Sequence, residues 1–263
     1  MAGGLAVTRK PLSVVIITKN AGKVLHPCLQ SATFADEVVL VDCGSDDDTL
    51  EIARQYQARI IHQPWLGFGP QKRFAVEQAR HDWVLCLDSD ERISTELQTR
   101  IVETLTAPKY KSYLLARRNR FLGRWLSHGE GYPDWVLRLF HRDHATWSLD
   151  PVHEKVETNE PVGRLRGDLY HESEQTLADY VTKQNTYTSL QAELIHRSGR
   201  RFSPWRMFLN PLSRFIKFYF FRLGLLDGLP GLIHIALGSF ASFLKYAKVL
   251  SFQYDCDKRK DSV

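Results

Sequence analysis

Four short apolar runs separated by helical segments restrict this chain more than anything else in it. Leu12–Thr18 (LSVVIIT), residues 38–41, Arg59–His62 and residues 84–87 are each long enough for a strand and too short for a buried helix. Between them, Val24, Leu25, Leu29 and Phe34 can lay a helix on a sheet, a second helix runs through Ile52 and Tyr56, and a third covers residues 71–79. This alternation is the pattern of βαβ units, and predicts a parallel sheet covered on both faces. The crossovers of such units are right-handed almost without exception, so the loops after strands one, two and four gather on one edge. In open α/β sheets that carboxyl edge is where ligands bind.

After a helix expected from Ser94 to about Leu105, the rhythm changes. Residues 113–117 and 135–140 read as strands separated by a long loop, 119–133, of a length often reserved for function. A third short strand is expected over 152–156. From about residue 174 the chain turns helical, first over 177–195 and then through a basic, aromatic tail over 205–254. The expected organisation is a catalytic α/β domain over 1–173, with a ligand-binding half over about 11–106 and a second half over 107–173. A helical C-terminal region follows over 174–263.

The fourth strand ends in Asp88-Ser89-Asp90-Glu91. Two carboxylates on the turn that closes a parallel strand are hard oxygen donors, suited to Mg²⁺ or Mn²⁺ with open positions for a diphosphate. The same string also reads as a solvated turn feeding a helix capped by Ser94. Asp42 ends the second strand beside Gly44, where no Cβ blocks a ligand, and can accept hydrogen bonds from a ribose or base N–H. A turn of the Asx kind fits Asp46 to Asp48 better than Asp42. Further on, Asp134 stands at the start of a strand that carries Arg138, and His153-Glu154 follows Asp150-Pro151. In a group transfer with inversion, Asp134 or Glu154 could take the acceptor's proton. A neutral His153 imidazole could join the metal.

Other chemistries are disfavoured. No G-x-G-x-x-G follows a strand and no G-x-x-x-x-G-K-[ST] occurs, which removes the usual dinucleotide and P-loop cradles. The four cysteines form no C-x-x-C pair, which argues against zinc and a disulfide framework and for a reducing compartment. The N-terminus has no charged region followed by an apolar core, and is read as carrying no secretory signal. A net charge of +5 favours anionic partners, but no nucleic-acid-binding motif accompanies it. A receiver-like Mg²⁺-binding adaptor would need acids at the end of the first strand, which instead reads Thr18-Lys19-Asn20.

Taken together, SVVIITKN, VDCGSDDDT and LDSDERI resemble the N-terminal half of an inverting glycosyltransferase of family 2 with the GT-A fold. GYPDWVLRLF, VHEKV, Tyr170-His171-Glu172-Ser173 and Asp227-Gly228 extend the resemblance to the lipopolysaccharide core β-1,4-glucosyltransferases of the WaaE type, over nearly the whole chain. The resemblance implies a mostly parallel, Rossmann-like sheet flanked by helices, a UDP-hexose donor (UDP-glucose), a heptose on a lipid A-core acceptor, and a divalent cation. Carried over by position, Asp42 contacts the uridine, Asp88 the ribose or the metal, and Asp90 the metal, with His153 added to the metal set. Thr18, Asn20, Gly44, Ser45, Arg73 and Arg138 complete the expected nucleotide-sugar set. Lys72, Arg73 or Arg138 would neutralise the departing UDP, and each could equally be a solvated surface charge, the reading preferred for Lys72. The preferred base is Asp134, with Glu154 second. The same donor half would also serve transfer to a polyprenyl phosphate.

In the tail, residues 223–244 are mostly apolar but contain Asp227, Gly228, Pro230, Gly231 and His234, so they read as a poor span and better as part of two amphipathic helices. Arg206, Arg214, Lys217, Arg222, Lys245 and Lys248 are expected at anionic headgroups, giving peripheral contact with the cytoplasmic face of the inner membrane.

Overall fold

β1 (Leu12–Thr18) runs through the middle of the parallel half of the sheet, and six of its seven residues are buried. That is why it has no polar alternation: helices cover both of its faces. In this computed structural model, which describes residues 8–150, 154–172, 176–199 and 202–260, β1 pairs in parallel with β2 (Glu37–Asp42) on one side and β4 (Trp83–Asp88) on the other. β3 (Arg59–His62) adds to the outside of β2. The crossovers are α1 (Gly22–Ala32), α2 (Thr49–Gln55) and α3 (Phe68–Glu77). Val14 and Ile16 point into a core with Leu25, Leu29 and Leu85, while Val15 joins Val39, Ala75 and Val84 on the opposite face. The register sets Thr18 against Asp42 and Ile17 against Asp88, so the two aspartates leave the sheet on either side of β1 at one edge.

Beyond β4 the sheet turns antiparallel. β4 pairs with β8 (Asp134–His141), and β8 with β6 (Ser112–Phe121). β11 (Gly163–His171) comes next, and at the edge it holds β5 (Glu91–Ile93) antiparallel. α4 (Thr95–Thr106) begins where expected, with the Leu97 N–H donating to the Ser94 hydroxyl at 3.2 Å. This is the GT-A-like α/β arrangement that the resemblance implied. β11 was not anticipated. In place of a strand over 152–156 there is a small hairpin of β9 (Thr146–Trp147) and β10 (Val156–Glu157), and residues 151–153 lie outside the described set.

By contacts the chain divides into two units: Met1–Arg118 with Asp134–Glu172, and Asn119–Pro133 with Ser173–Val263. The loop 119–133, grouped from sequence with the catalytic half, therefore belongs to the helical unit. Within that unit α7 (Gly228–Lys260) packs against α5 (Leu177–Arg197) and α6 (Trp205–Ile216). Pro230, Gly231 and His234, which made residues 223–244 read as a poor span, do not interrupt a helix. A 3₁₀ turn, Gly224–Asp227, precedes a single helix, and Pro230 stands in its first turn, where the missing N–H leaves no intrahelical bond unmade. Asp227 is buried, and its carboxylate accepts the N–H of Ser127 at 3.0 Å and of His128 at 2.8 Å, anchoring the loop. Two of the cations expected at headgroups serve packing instead: Arg214 pairs with Glu130, and Lys248 donates to Thr188 and to the side chain of Asn185.

Candidate active site

The turn after β4 is built on a carboxylate that sequence reasoning passed over. Glu91 is fully buried. Its Oε2 accepts the Asp88 N–H at 3.0 Å and closes the turn, while its Oε1 accepts from Arg138 at 3.1 Å and Arg117 at 3.4 Å. Arg138 also reaches Asp88 Oδ2 at 2.5 Å, and Lys72 Nζ lies 2.9 Å from Asp88 Oδ1. Burial alone would raise the Asp88 pKa, but Arg138 and Lys72 override it and hold the carboxyl far below the usual carboxylate range. The Arg138 guanidinium is correspondingly pushed up: burial works against its charge, and Asp88 and Glu91 more than compensate. Trp147 forms a wall to both cations, with Lys72 Nζ 4.7 Å and Arg138 Cζ 5.5 Å from the ring centre. Its indole N–H donates to Cys86 Sγ at 3.3 Å. Burial raises that thiol to about 11, so it is no nucleophile near neutral pH. Lys72, Asp88, Arg138 and Trp147 line a cavity of about 400 Å³ that also includes Arg117, Glu154 and Lys155. A cavity with four cationic residues against two carboxylates in its lining suits an anionic ligand such as a diphosphate.

The two basic residues of α3 exchange their expected roles. Lys72 is buried and points at Asp88 and Glu154, with Glu154 Oε1 at 3.4 Å. Arg73 is 48% exposed and pairs with Glu77 one turn along, on the solvated side of the helix. One residue turns a helix by about 100°, which is enough to exchange the buried and solvated positions. Gly69 lets this helix approach β9 and its following segment: a Cβ there would lie 2.3 Å from the Ser148 carbonyl oxygen. Gly69→Ala is therefore expected to cost about 1–3 kcal/mol in denaturant melts. It should also lower kcat/KM, because Lys72 lies on the same face one turn on. Unchanged values of both would show that the Ser148 backbone yields freely.

On the other side of β1, Asp42 organises its own loop. Oδ2 accepts the N–H groups of Gly44 at 2.9 Å and Ser45 at 3.0 Å, and Oδ1 accepts the Ser45 hydroxyl at 2.5 Å. Gly44 needs φ +96°, a conformation that explains the glycine better than ligand approach does. The Ser45 hydroxyl in turn accepts the Asn20 N–H at 2.9 Å, and Asn20 Oδ1 accepts the Asp46 N–H at 3.0 Å. The loops after β1 and β2 are thus laced into one rigid rim. Thr18 Oγ1 is buried in this rim without a hydrogen-bond partner among the described residues.

Of the three metal ligands expected from sequence, two, Asp88 and Asp90, are among the described residues. Both Asp88 oxygens face cations, His153 lies outside the described residues, and no cluster of three or more His, Cys, Asp or Glu occurs among the described residues. Asp90 has a different neighbour, His171 Nε2 at 3.2 Å, brought in by the pairing of His171 with Glu91 across β11 and β5. Burial raises the Asp90 pKa and the bond and charge of His171 lower it, with a net shift below the usual value. The Asp90 carboxylate fits Mg²⁺ or Mn²⁺, which keep water or phosphate oxygens in their remaining positions, and the His171 imidazole is a donor that Mn²⁺ accepts more readily than the harder Mg²⁺.

Both candidate bases are ion-paired. Arg117 donates twice to Asp134 Oδ2, at 2.9 and 2.7 Å, leaving Oδ1 for another partner. Glu154 has Lys72 as its neighbour. Besides Glu91, sequence reasoning missed Arg117, Trp147 and His171 as parts of the site. The string around His171 was noticed, but nothing in it signalled a partner at Asp90.

Residues 13–159 match the family described as Glycosyl transferase family 2. An uncharacterized glycosyltransferase of Rickettsia typhi is 32% identical, over 91% of this chain and 87% of that protein. The lipopolysaccharide core biosynthesis glycosyltransferase LpsC of Rhizobium meliloti is 31% identical, over 92% of this chain and 93% of its own. Among solved structures, S. aureus TarS in complex with UDP-GlcNAc aligns over 90% of this chain and 92% of that one, at 15% identity and a TM-score of 0.48. With more than half its length matched to one family, and relatives at least 30% identical over about nine-tenths of it, the chain belongs to glycosyl transferase family 2 and is a glycosyltransferase.

Proposed function

We propose that this enzyme transfers a hexose, glucose from UDP-glucose, with inversion onto a heptose of the lipopolysaccharide inner core, as do the WaaE-type enzymes it resembles. The observation that carries the reading is the convergence of Lys72, Arg138 and Arg117 on the cavity at the carboxyl edge, beside the rim held by Asp42. The name of the LpsC relative supports the acceptor class. Such an acceptor is membrane-borne, which puts the enzyme on the cytoplasmic face of the inner membrane.

The uridine and ribose lie along the rim of Thr18, Asn20, Asp42, Gly44 and Ser45, and the diphosphate faces Lys72 and Arg138. A divalent cation, Mg²⁺ or Mn²⁺, held by Asp90 and His171 would supply further positive charge against the departing diphosphate. Asp134 takes the proton of the acceptor hydroxyl, whose oxygen attacks the anomeric carbon as the bond to UDP breaks, giving inversion. Two N–H groups of Arg117 on the one oxygen Oδ2 fix the Asp134 carboxylate in place, and Lys72 and Arg138 balance the charge that appears on the leaving group.

Calorimetry with a panel of nucleotide sugars, with Mn²⁺ and then with chelator, tests the donor. Metal-dependent preference for UDP-glucose supports the reading, and failure to bind any nucleotide sugar by the folded protein removes it. For the base, Asp134→Asn is expected to keep donor binding and lower kcat by about 10²–10⁴-fold. If Glu154→Gln does this and Asp134→Asn does not, Glu154 is the base.

A further inference from the structure

α6 has no buried residue, although it is part of a packed helical unit. At about 100° per residue, Trp205, Phe208, Leu209, Leu212 and Ile216 form one continuous stripe. Trp205 is 72% exposed and Leu209 58%, and the π-helical turn Lys217–Phe221 continues the band to Phe221, 81% exposed. Arg214 lies on the opposite face of the helix and pairs with Glu130, so the packed side and the apolar side are different sides. An apolar band of this size is not a solvated surface.

The charge around it identifies the occupant. From residue 194 to 226 the sequence has seven arginines and lysines and no aspartate or glutamate. Arg206 and Lys217 are both exposed and fall on one flank of the stripe, where long basic side chains reach out while the apolar residues go under. A protein partner would ordinarily be met with charges of both signs, whereas a one-signed basic flank beside tryptophan, phenylalanine and leucine is complementary to an anionic lipid surface.

α7 is the competing element, because it is the helix among the described residues that is long and apolar enough to cross a bilayer. One side of it is already in use: Ile235, Ala241, Val249 and Leu250 are buried, with Ser239 among them, in a helix that packs on α5 and α6, while Leu229 and Phe240 stay exposed. We infer that α6 and the turn after it lie flat in the headgroup region of an anionic bilayer, and that α7 stays within the helical unit and does not span. The inference deepens the membrane-side reading of the acceptor and rests on it.

The test is co-sedimentation of the purified full chain with vesicles of phosphatidylcholine, alone and with phosphatidylglycerol. The expected result is binding that requires phosphatidylglycerol and weakens with salt, reduced at least about tenfold in Leu209→Ser/Leu212→Ser and in Arg206→Glu/Lys217→Glu. These side chains are exposed, so circular dichroism and UDP-glucose calorimetry should match the parent. Loss of nucleotide binding in the parent itself would count against the transferase reading and leave the vesicle result standing. Equal vesicle binding by parent and variants overturns the inference. So does a change of oligomeric state in the leucine variant without a change in vesicle binding, which would mean that a second copy covers the stripe. Membranes that retain the chain after alkaline carbonate would show α7 spanning, and would also overturn it.

Discussion

Glu91→Ala should lower the unfolding free energy by about 3–5 kcal/mol, the usual result of removing one member of a buried charge network. Glu91 is fully buried, and its two oxygens meet three donors: the Asp88 N–H, Arg138 and Arg117. In the variant, Arg138 keeps Asp88 and Arg117 keeps Asp134, but both guanidinium groups lose a counter-charge in a poorly solvated site, and the turn loses its closing bond. Urea unfolding followed by circular dichroism measures the effect, and the melting temperature should fall by roughly 10 °C at a few degrees per kcal/mol. Glu91→Gln retains the acceptor for the Asp88 N–H and should recover part of the loss. A change below about 1 kcal/mol in the alanine variant would mean that Glu91 is not the residue balancing the two arginines.

Asp90→Asn should leave the fold nearly intact and lower turnover by at least about a hundredfold. The two halves of this expectation come from the same geometry. Asp90 and His171 form a partly exposed pair, with side chains 28% and 25% accessible, and such pairs contribute about 1 kcal/mol or less. An amide, however, is a poor ligand for a hard cation and gives His171 no carboxylate to pair with. The readout that separates this from a general defect is calorimetric: the metal-dependent part of UDP binding should disappear, and the binding measured in chelator should not change. Full activity in folded Asp90→Asn would remove the metal role from Asp90.

The parallel half of the fold was readable because strands buried on both faces must be apolar, and β1, β2 and β4 therefore stand out as apolar runs, with the edge strand β3 following from the alternation with helices. β11 escaped because its signal is of another kind. Leu165 and Leu169 face inward with Gly163 between Tyr110 and Tyr113, while Arg164, Arg166 and Asp168 make the stretch look like surface. Missing β11 meant missing His171 as a neighbour of Asp90, since only the pairing of β11 with β5 brings together residues so far apart in sequence. Lys72 was misread for a related reason. A lysine beside an arginine on a short helix is usually solvated, and only the register of α3 against β4 and β9 decides which of the two turns inward. Asp42 was singled out as a residue of the carboxyl edge, and the Asx turn expected among the acids after it occurs at Asp47, whose carboxylate accepts the Thr49 N–H at 3.0 Å; what the sequence did not signal is that Asp42 makes a turn of the same kind with Gly44 and Ser45.

The anchoring of residues 127 and 128 by Asp227 bears on how the protein is made. The polypeptide passes between the two units at 118/119, 133/134 and 172/173, so neither unit is a continuous stretch of chain. As the nascent chain leaves the ribosome, the loop 119–133 is synthesised about a hundred residues before the carboxylate that will receive its N–H groups. Until the 3₁₀ turn before α7 emerges, those N–H groups have water in place of the Asp227 carboxylate. A chain shortened at residue 172 would keep every strand of the sheet, and would still lack the anchor for the loop that joins two of them.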